Sequence, residues 1–337
     1  MSPQPTERLP IWRPGRPTHV YARDREAREA RSGRLSRVCR RHARVAQCHV
    51  GRMSQIEQIG SPAMQLPHRH IAPFAKALAR GVGNSFATSA PSAQTAVDAI
   101  NSAWASRLPL AGVTSGHADL FTDVRVDWAI EQLGGVNGAE CIELGPLEGG
   151  HSYMLQKAGA ARVTAVEANM DAFLKCLIVK EIFELDSCRF LCGDAVEYLQ
   201  TVEHRYDVCW CAGFLYHMVD PVQLIKLISE RTSRLYIWTH YYDAAKLAVD
   251  EPKGKPFKNR VVTGSVCDGY RHQLYRHEYG NATRLLGFWG GTQPFSNWLT
   301  LPDLLEALEH FGWSDVRTQI VEDHPHGPCV NLTAIRA

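Results

Sequence analysis

Five short apolar segments, each separated from the next by a stretch with helical spacing, constrain the fold of this chain more than any other feature. The segments are AECIEL, RVTAVEA, CRFLCG, YDVCWCA and RLYIWTH, and the helical stretches between them lie near 150–159, 170–184, 194–201 and 219–231. Strands joined through helices pair in parallel, because the crossover returns the chain to the same edge of the sheet. The alternation therefore predicts a doubly wound α/β fold with helices on both faces of the sheet.

Two more strands are predicted near the end of the chain. An amphipathic helix, LPDLLEALEHFGW, precedes the segments SDVRTQIVED and PCVNLTAIRA, which are joined by HPHGP. A short connection rich in Pro and Gly pairs neighbouring strands antiparallel. The prediction is thus a mostly parallel, seven-stranded sheet with a C-terminal antiparallel hairpin, which is not the dinucleotide-binding topology.

The chain before this fold is predicted to be unstructured in two parts. Residues 1–52 form a disordered, arginine-rich leader, because they bury too little apolar surface to offset the entropy of ordering. We favour Met53 as the true start, with the leader as an over-extended reading frame; a nucleic-acid-binding arm or a targeting peptide is the alternative. Residues 53–91 are predicted to be a linker with one short helix around residues 71–78.

Residues 92–337 are predicted to be the folded domain. Two helical stretches, AQTAVDAINSAW and DVRVDWAIEQLGG, lead into it. Residues 243–300 separate the fifth strand from the last helix and are too long for a plain loop. This insertion is dense in Tyr, Trp, His and Lys, and it leaves the sheet at the carboxyl edge. We therefore expect it to form a lid over that edge.

Charge and cysteine usage exclude several classes of protein. The first 52 residues hold thirteen arginines and four acidic residues, about +9, which leaves about −7 for the rest of a chain of net charge +2. An acidic domain disfavours binding nucleic acid through the net field. Ten cysteines include no C-x-x-C pair, so neither a metal site nor a disulfide framework is predicted. No apolar run is long enough to span a membrane, and we expect a cytoplasmic protein.

The stretch CIELGPLEGGHSYML, residues 141–155, is a strand, a glycine turn and the start of a helix. A turn that holds a pyrophosphate follows the pattern G-x-G-x-x-G. The matching positions are Gly145, Leu147 and Gly150, so a leucine replaces the middle glycine. In addition, the negative charge of Glu143 would repel a pyrophosphate but attract a cationic amino group. The turn is therefore predicted to bind a zwitterion rather than a dinucleotide.

Three acidic residues lie at or just after the carboxyl ends of consecutive strands, where open α/β sheets bind their ligands. They are Glu143, Glu167 and Asp194. A carboxylate after the second strand can accept both hydroxyls of a ribose, and one after the third strand lies where an adenine amino group would be. Together with the turn, they outline an adenosine with a cationic tail. Each also has a structural alternative, and Asp194 in particular is a good N-cap for the following helix.

The segments ELGPLEGG, AVEAN, CGDA and YDVCWCAGFLYH resemble the successive cofactor motifs of class I S-adenosylmethionine (SAM)-dependent methyltransferases, over roughly residues 120–337. GFLYH, followed by DP and a helix, is similar to the branch that includes tRNA wobble-uridine carboxymethyltransferases. The resemblance implies a Rossmann-like fold with SAM as the cofactor. It implies that cofactor binding involves Glu143, Gly145, Pro146, Leu147, Gly149, Glu167, Ala168, Asp194, Ala195, Gly213, Phe214 and Leu215.

The catalytic candidates are His217, His240 and Tyr216. Methyl transfer from a sulfonium needs mainly alignment, but an oxygen or nitrogen acceptor must also lose a proton. A histidine near its ordinary pKa is a suitable base. Tyr216 would position the reactants, and its ring or that of Phe214 would favour a sulfonium.

The sequence leaves the acceptor open. We predict methyl transfer to a small-molecule or glycan-like acceptor. One alternative is a tRNA- or RNA-modifying or RNA-binding protein, and another is an NAD-dependent oxidoreductase. The RNA surface of the first alternative would consist of Lys253, Lys255, Lys258, Arg260, Arg271 and Arg276 with Tyr270 and Tyr275. The sequence indicates no oligomeric state.

Overall fold

The computed structural model describes residues 86–248, 251–284 and 290–336. The predicted leader and the predicted helix around residues 71–78 lie outside the described residues, as does most of the predicted linker. The strands are β1 (Glu140–Leu144), β2 (Arg162–Glu167), β3 (Cys188–Cys192), β4 (Tyr206–Ala212), β5 (Thr232–His240), β6 (Val262–Cys267), β7 (Tyr270–Glu278), β8 (Phe295–Trp298), β9 (Trp313–Val321) and β10 (Cys329–Arg336).

Seven of these strands form one sheet in the order β3-β2-β1-β4-β5-β10-β9. The first five pair in parallel, while β10 is antiparallel to both β5 and β9. The fold-class prediction is therefore confirmed. The strand order reverses between β1 and β4, and in open α/β sheets such a reversal opens a crevice at the carboxyl ends of the strands.

The helices flank the sheet, and several of them begin at an Asp or Asn residue of the kind that caps helices. They are α1 (Ala93–Asp98), α2 (Val124–Gln132), α3 (Gly150–Lys157), α4 (Met170–Ile182), α5 (Ala195–Thr201), α6 (Pro221–Arg231) and α7 (Leu301–His310). The side chains that accept hydrogen bonds from first-turn N–H groups include Asp123 at α2, Asn169 at α4, Asp194 at α5 and Asp220 at α6.

One helix is shorter than its sequence pattern suggests. The apolar spacing of AQTAVDAINSAW extends to Trp104, but α1 ends at Asp98. Trp104 is instead buried against the helix, and its indole Nε1 donates to the carbonyl of Val97 at 3.1 Å.

Apolar residues cover both faces of the sheet, as a doubly wound fold requires. β4 shows the alternation: Val208 and Trp210 belong to the core on one face, and Cys209 and Cys211 belong to the core on the other. All four are fully buried. The two cysteines are thus core residues.

The insertion contains an antiparallel sheet of its own in the order β6-β7-β8. β8 is attached to the segment that follows β4, because the N–H of Asn297 donates to Met218 O at 2.9 Å and its side-chain amide donates to Val219 O at 2.6 Å. The insertion therefore contacts the carboxyl edge of the main sheet. Among the described residues, no helix has the length and apolar character needed to cross a bilayer.

Candidate functional site

A cavity of about 430 Å³ lies at the point where the strand order reverses. This volume is in the usual range for small-molecule sites. Its walls come from the turns after β1, β2 and β4. The predicted site residues that line it are Glu143, Gly145, Pro146, Leu147, Glu167, Ala168, Gly213, Phe214, Tyr216 and His217.

The turn after β1 has a left-handed backbone at three positions. Gly145, Leu147 and Gly149 have φ values of 69°, 55° and 77°. A Cβ atom on Gly145 would lie 2.6 Å from Cδ2 of Phe214, so only glycine allows the two turns to pack this closely. Leu147, at the position of the missing middle glycine, adopts the conformation that glycine would favour. The departure from the glycine pattern therefore changes the side chain but keeps the path of the backbone.

Glu167 stabilises this unusual turn. Its Oε2 accepts from the N–H of Leu147 at 3.0 Å, and its Oε1 accepts from the N–H of Asn169 at 2.8 Å. Burial raises the pKa of the Glu167 carboxyl, and these backbone hydrogen bonds oppose that shift. With the N–H of Ala168, these groups use three of the about four lone-pair sites of the carboxylate, so Glu167 retains capacity for a ligand hydroxyl.

Glu143 is a buried carboxylate that faces the cavity. Its side chain accepts a hydrogen bond from the hydroxyl of Ser152, and the residue is only 3% exposed. Burial raises the pKa of Glu143, while the neighbouring His151 ring and the bond from Ser152 oppose that shift. Within the described part of the chain, no lysine or arginine forms an ion pair with it. A cationic ligand group would supply the missing countercharge.

A network next to Glu143 could not be predicted from the sequence. Asp123 forms a bidentate pair with the guanidinium of Arg125 and also bonds to Nε2 of His151 at 3.1 Å. Nδ1 of His151 accepts from the indole N–H of Trp210 at 3.2 Å, so Nε2 carries the ring proton and donates to Asp123. Burial raises the pKa of Asp123, but its bonds to His151 and Arg125 outweigh this and hold the pKa well below its usual range.

Arg125 and His151 both line the cavity. The guanidinium of Arg125 lies 4.6 Å from the ring centre of Trp238, another lining residue. The only feature of the sequence that pointed to this network was the N-cap of α2, where an aspartate lies two residues before an arginine. Nothing local indicates that this cap and the start of α3 meet beside β1.

Aromatic side chains form the end of the cavity nearest β4 and β5. Nδ1 of His217 lies 2.8 Å from the hydroxyl of Tyr279, which belongs to the insertion. Burial, together with the charges of His277 and His240, lowers the pKa of His217 to about 3. Burial also raises the pKa of the Tyr216 hydroxyl above its usual value. Both side chains are therefore neutral near pH 7.

Four of the predicted cofactor residues do not line this cavity. Asp194 is exposed, and its Oδ1 accepts from the N–H groups of Val196 and Glu197 as the N-cap of α5, its alternative role. Ala195 and Leu215 are buried in the core, where they pack against apolar residues. Gly149 is the N-cap of α3, and a Cβ atom there would lie 3.2 Å from Cζ of Phe190. Its glycine character serves the turn and its packing.

His240, predicted as an alternative base, is also outside the cavity lining. Its Nδ1 lies 3.1 Å from Gly327 O and 3.2 Å from Pro328 O, and its ring stacks on Trp298 at 5.1 Å. Burial and the charge of His324 lower its pKa to about 4. The side chain is directed toward the connection between β9 and β10, so the structure does not place it beside the other predicted site residues.

Among the described residues of the insertion, Gly291 and Thr292 line the cavity. A Cβ atom on Gly291 would lie 3.0 Å from the carbonyl oxygen of His217, so this glycine permits close contact with the turn after β4. The two tyrosines of the predicted RNA surface are packed instead. Tyr275 stacks on Tyr242 at 4.0 Å, and Tyr270 is buried, so neither offers an open face to a base.

No family model matches the sequence, and no curated protein matches it. Similarity to solved structures, in contrast, is extensive. The N-terminal domain of EvdMO1 in the presence of S-adenosylhomocysteine (SAH) and D-fucose is 20% identical over 72% of this chain and 95% of that chain, with a TM-score of 0.55. The SAH-bound form of the same domain has the same identity and coverage, with a TM-score of 0.54.

The chain has a Rossmann-like methyltransferase fold. A third solved structure with weaker similarity is magnesium protoporphyrin IX methyltransferase (ChlM) from Synechocystis PCC 6803 with bound SAH. It is 18% identical over 64% of this chain and 81% of that chain, with a TM-score of 0.44. At these identities, similarity establishes the fold, and arguments about activity depend on the cavity itself.

Proposed function

We propose that this chain is a SAM-dependent methyltransferase that acts on an oxygen or nitrogen atom of a small-molecule or glycan-like acceptor. The observation that carries the proposal is Glu143, a buried carboxylate that faces the cavity with no basic partner among the described residues. The ammonium group of a methionyl tail has the charge and hydrogen-bonding capacity that such a site requires.

The cavity residues fit the parts of SAM in order. Glu143 would pair with the ammonium group, and the remaining lone-pair capacity of Glu167 would accept from a ribose hydroxyl. Ala168 and Asn169, which also line the cavity, would lie beside the adenine. Glu143 lies near the end of β1, and Glu167 ends β2 and bonds to the turn at Leu147, so the two carboxylates would hold the methionyl and ribose parts of one ligand.

The polar groups of the site favour SAM itself over a donor that carries an extra carboxylate, as used by part of the branch that the sequence resembles. A second carboxylate would need a basic partner near the methyl group. Arg125 lines the cavity, but its guanidinium is already bonded to both oxygens of Asp123. Its charge is thus compensated within the protein.

The aromatic end of the cavity fits a sugar-like acceptor. Phe214, Tyr216 and Trp238 present ring surfaces there, and sugars pack their C–H faces on such rings. The fold neighbour EvdMO1 was crystallised with D-fucose together with SAH. These two facts support a hydroxylated acceptor of about monosaccharide size, bound against this wall.

The side chains of the site position the reactants and accept a proton. SAM supplies a methyl group already activated on a sulfonium. The faces of Phe214 and Tyr216 would favour that positive charge. The lowered pKa makes His217 a weaker base than an ordinary histidine but keeps its ring neutral. If its Nδ1–H donates to Tyr279, then Nε2 has the lone pair that can take the acceptor's proton. Gly291 and Thr292 would help to exclude water from the reacting groups.

Calorimetry with the full chain tests the cofactor. We expect SAM and SAH to bind and NADH not to bind. Glu167→Ala should weaken both adenosyl ligands by about 1.5–3 kcal/mol, because it removes charge-assisted hydrogen bonds. Asp220→Ala is the matched control, since this carboxylate caps α6 and does not line the cavity. Binding of NADH without SAM would contradict the proposal.

An assay for SAH release tests the acceptor once SAM binding is established. The substrates would be D-fucose, other monosaccharides and small amino metabolites, with bulk tRNA as the competing class. We expect turnover with a hydroxylated or amino metabolite. Turnover with tRNA alone would retain the methyltransferase but contradict the small-molecule acceptor.

A further inference from the structure

Two histidines and a cysteine form a cluster beside the cavity. Each of His240, His324 and Cys329 offers one ligand atom, and these three atoms all lie within 4.8 Å of one another. His240 ends β5 and Cys329 begins β10, and the two are paired in the antiparallel register. Directly opposed residues project from the same face of a sheet, so the pair is held on a rigid support. His324 belongs to the connection between β9 and β10.

The hydrogen bonds of His240 leave the correct nitrogen free for a metal. Its Nδ1 lies within 3.2 Å of two backbone carbonyls, of Gly327 and Pro328. Carbonyl oxygens only accept, so Nδ1 carries the proton and Nε2 has the lone pair. A histidine that ligates a metal usually donates its other ring N–H to a carbonyl or carboxylate in this way.

His324 can act as the third ligand with the loss of only one weak hydrogen bond. The one hydrogen bond of its ring in the described structure is from the N–H of His326 to Nδ1 at 3.3 Å, which is long for a bond of this type. The ring is partly buried, and its centre lies 4.9 Å from that of His240. A cation could replace this weak bond, after which the ring would be fixed.

Cys329 is 1% exposed and is not part of a disulfide. Burial raises the pKa of its thiol, while a hydrogen bond from Trp238 and the charge of Arg125 lower it. Metal binding would release the thiol proton. Thiolate and imidazole are the ligands that zinc prefers.

We propose that His240, His324 and Cys329 bind one zinc ion, with the fourth coordination position open to water or an added ligand. The inference does not depend on the proposed methyltransferase activity. It assigns a role to HPHGP, the connection between the last two strands, for which the sequence patterns offered no function. It also replaces the expectation that the chain holds no metal.

The ion would stabilise the wall of the cavity. Trp238, which lines the cavity, lies two residues before His240 on the same face of β5, and the two ring centres are 5.3 Å apart. The ring of Tyr216, also in the lining, is 4.8 Å from that of His240. Zinc would tie the connection between β9 and β10 to β5 directly behind these two side chains.

Cobalt(II) is the probe for the site, because a bound thiolate gives a charge-transfer band in the near ultraviolet. The full chain is treated with a chelator, freed of it and titrated with CoCl₂. We expect a band that saturates at one equivalent and disappears when ZnCl₂ is added. Zinc should also raise the melting temperature of the chelator-treated protein.

Three variants locate the ligands. Cys329→Ser should abolish the band, and His324→Ala should weaken cobalt binding at least tenfold. Cys192→Ser is the matched control, since Cys192 is exposed and distant in the sheet order, and it should keep the band. No band in the wild type, or a band that survives in Cys329→Ser, overturns the proposal. If Cys329→Ser does not fold, His324→Ala decides, and unchanged cobalt affinity in that variant overturns it.

Discussion

The backbone N–H of Leu147 donates to Oε2 of Glu167 at 3.0 Å, so the carboxylate at the end of β2 holds the turn that follows β1. Leu147 has φ 55°, a conformation that costs a residue with a Cβ atom about 1 kcal/mol or more. Glu167 offsets part of that cost and, in the proposed function, also binds the ribose. The shape of the turn and cofactor affinity are therefore linked through one side chain.

Substitutions at Leu147 test the backbone conformation. Leu147→Gly should leave the free energy of unfolding within about 1 kcal/mol of wild type, because relief of strain offsets the greater entropy of the unfolded chain. Leu147→Val should destabilise by more than this, since a β-branched residue is strongly disfavoured at positive φ. Urea denaturation measures both.

Asp268→Gly is the control for Leu147→Gly. Asp268 has φ 48° in the turn between β6 and β7, away from the cavity lining. The Asp268→Gly variant should show the same small change in the free energy of unfolding and no change in SAM affinity.

A Leu147→Val variant as stable as Leu147→Gly would show that the turn is not held in the left-handed conformation.

Glu143→Gln tests the countercharge argument. The glutamine side chain of this variant would still accept from Ser152 but could not form an ion pair with an ammonium group, so SAM affinity should fall by about tenfold to several hundredfold. In the wild type, affinity should also fall as pH decreases through the raised pKa of Glu143, because the protonated carboxyl carries no charge. Calorimetry across pH should show this dependence in the wild type and not in Glu143→Gln.

The stability of the same variant separates binding from folding. Because the folded-state pKa of Glu143 is raised, the folded protein holds the proton at a pH where the unfolded chain has released it. This group therefore costs stability as pH rises from the unfolded pKa through the folded pKa. Glu143→Gln removes that cost, so without ligand it should melt no lower than wild type at neutral pH. A large fall in its melting temperature would mean that Glu143 supports the fold rather than a ligand.

His217→Ala tests the proton acceptor with the substrate found in the screen. We expect kcat to fall about 10²-fold or more, with SAM affinity nearly unchanged. Tyr279→Phe should lower kcat less, because it removes only the partner of Nδ1. With the pKa of His217 near 3, the kcat/KM profile should show no protonation of this residue between about pH 5 and 8.

His310→Ala is the control for this histidine. His310 is the last residue of α7, and its Nε2 is 2.9 Å from the carbonyl oxygen of Asp268. Removing this side chain should not change kcat. Wild-type turnover in His217→Ala would exclude it as the base.

A buried ion pair next to the cavity turn gives a stability prediction. Glu148 and Lys175 are each 1% exposed and 3.2 Å apart, and Glu148 also accepts from the N–H groups of Ala105 and Ser106. Lys175→Met alone should cost about 3–5 kcal/mol, because it leaves Glu148 as an uncompensated buried charge. Glu148→Gln should cost less, because Lys175 keeps its ion pair with Asp171 at 3.1 Å. The double variant should cost less than the sum of the two.

Lys226→Met provides the comparison for this pair, since the ion pair between Lys226 and Glu230 is on the surface of α6. It should cost about 1 kcal/mol or less. If Lys226→Met and Lys175→Met lower the free energy of unfolding by similar amounts in urea denaturation, burial does not make the Glu148 pair more important for stability than a surface pair.

The sequence alone was sufficient for the main sheet and for the two acidic residues that face the cavity, but it did not indicate the three-stranded sheet of the insertion. The two-residue and near-four-residue spacings of apolar side chains are short-range signals, so strands, helices and their caps could be predicted within a few residues. Glu143 and Glu167 could be placed because parallel strands bring their carboxyl ends to one edge. The helix expected up to Trp104 shows the limit, since the helix ends at Asp98 and the indole of Trp104 bonds back to Val97.

Only the tertiary structure decided which loops meet at that edge. It placed Arg125 and His151 in the cavity wall and brought Tyr279 of the insertion to His217. It removed His240 from the cavity and set it opposite Cys329, far along the chain. Such contacts depend on how long segments pack in space, and no spacing along the chain records them. The left-handed conformation of Leu147 is decided the same way, because its hydrogen-bond partner lies on a different strand.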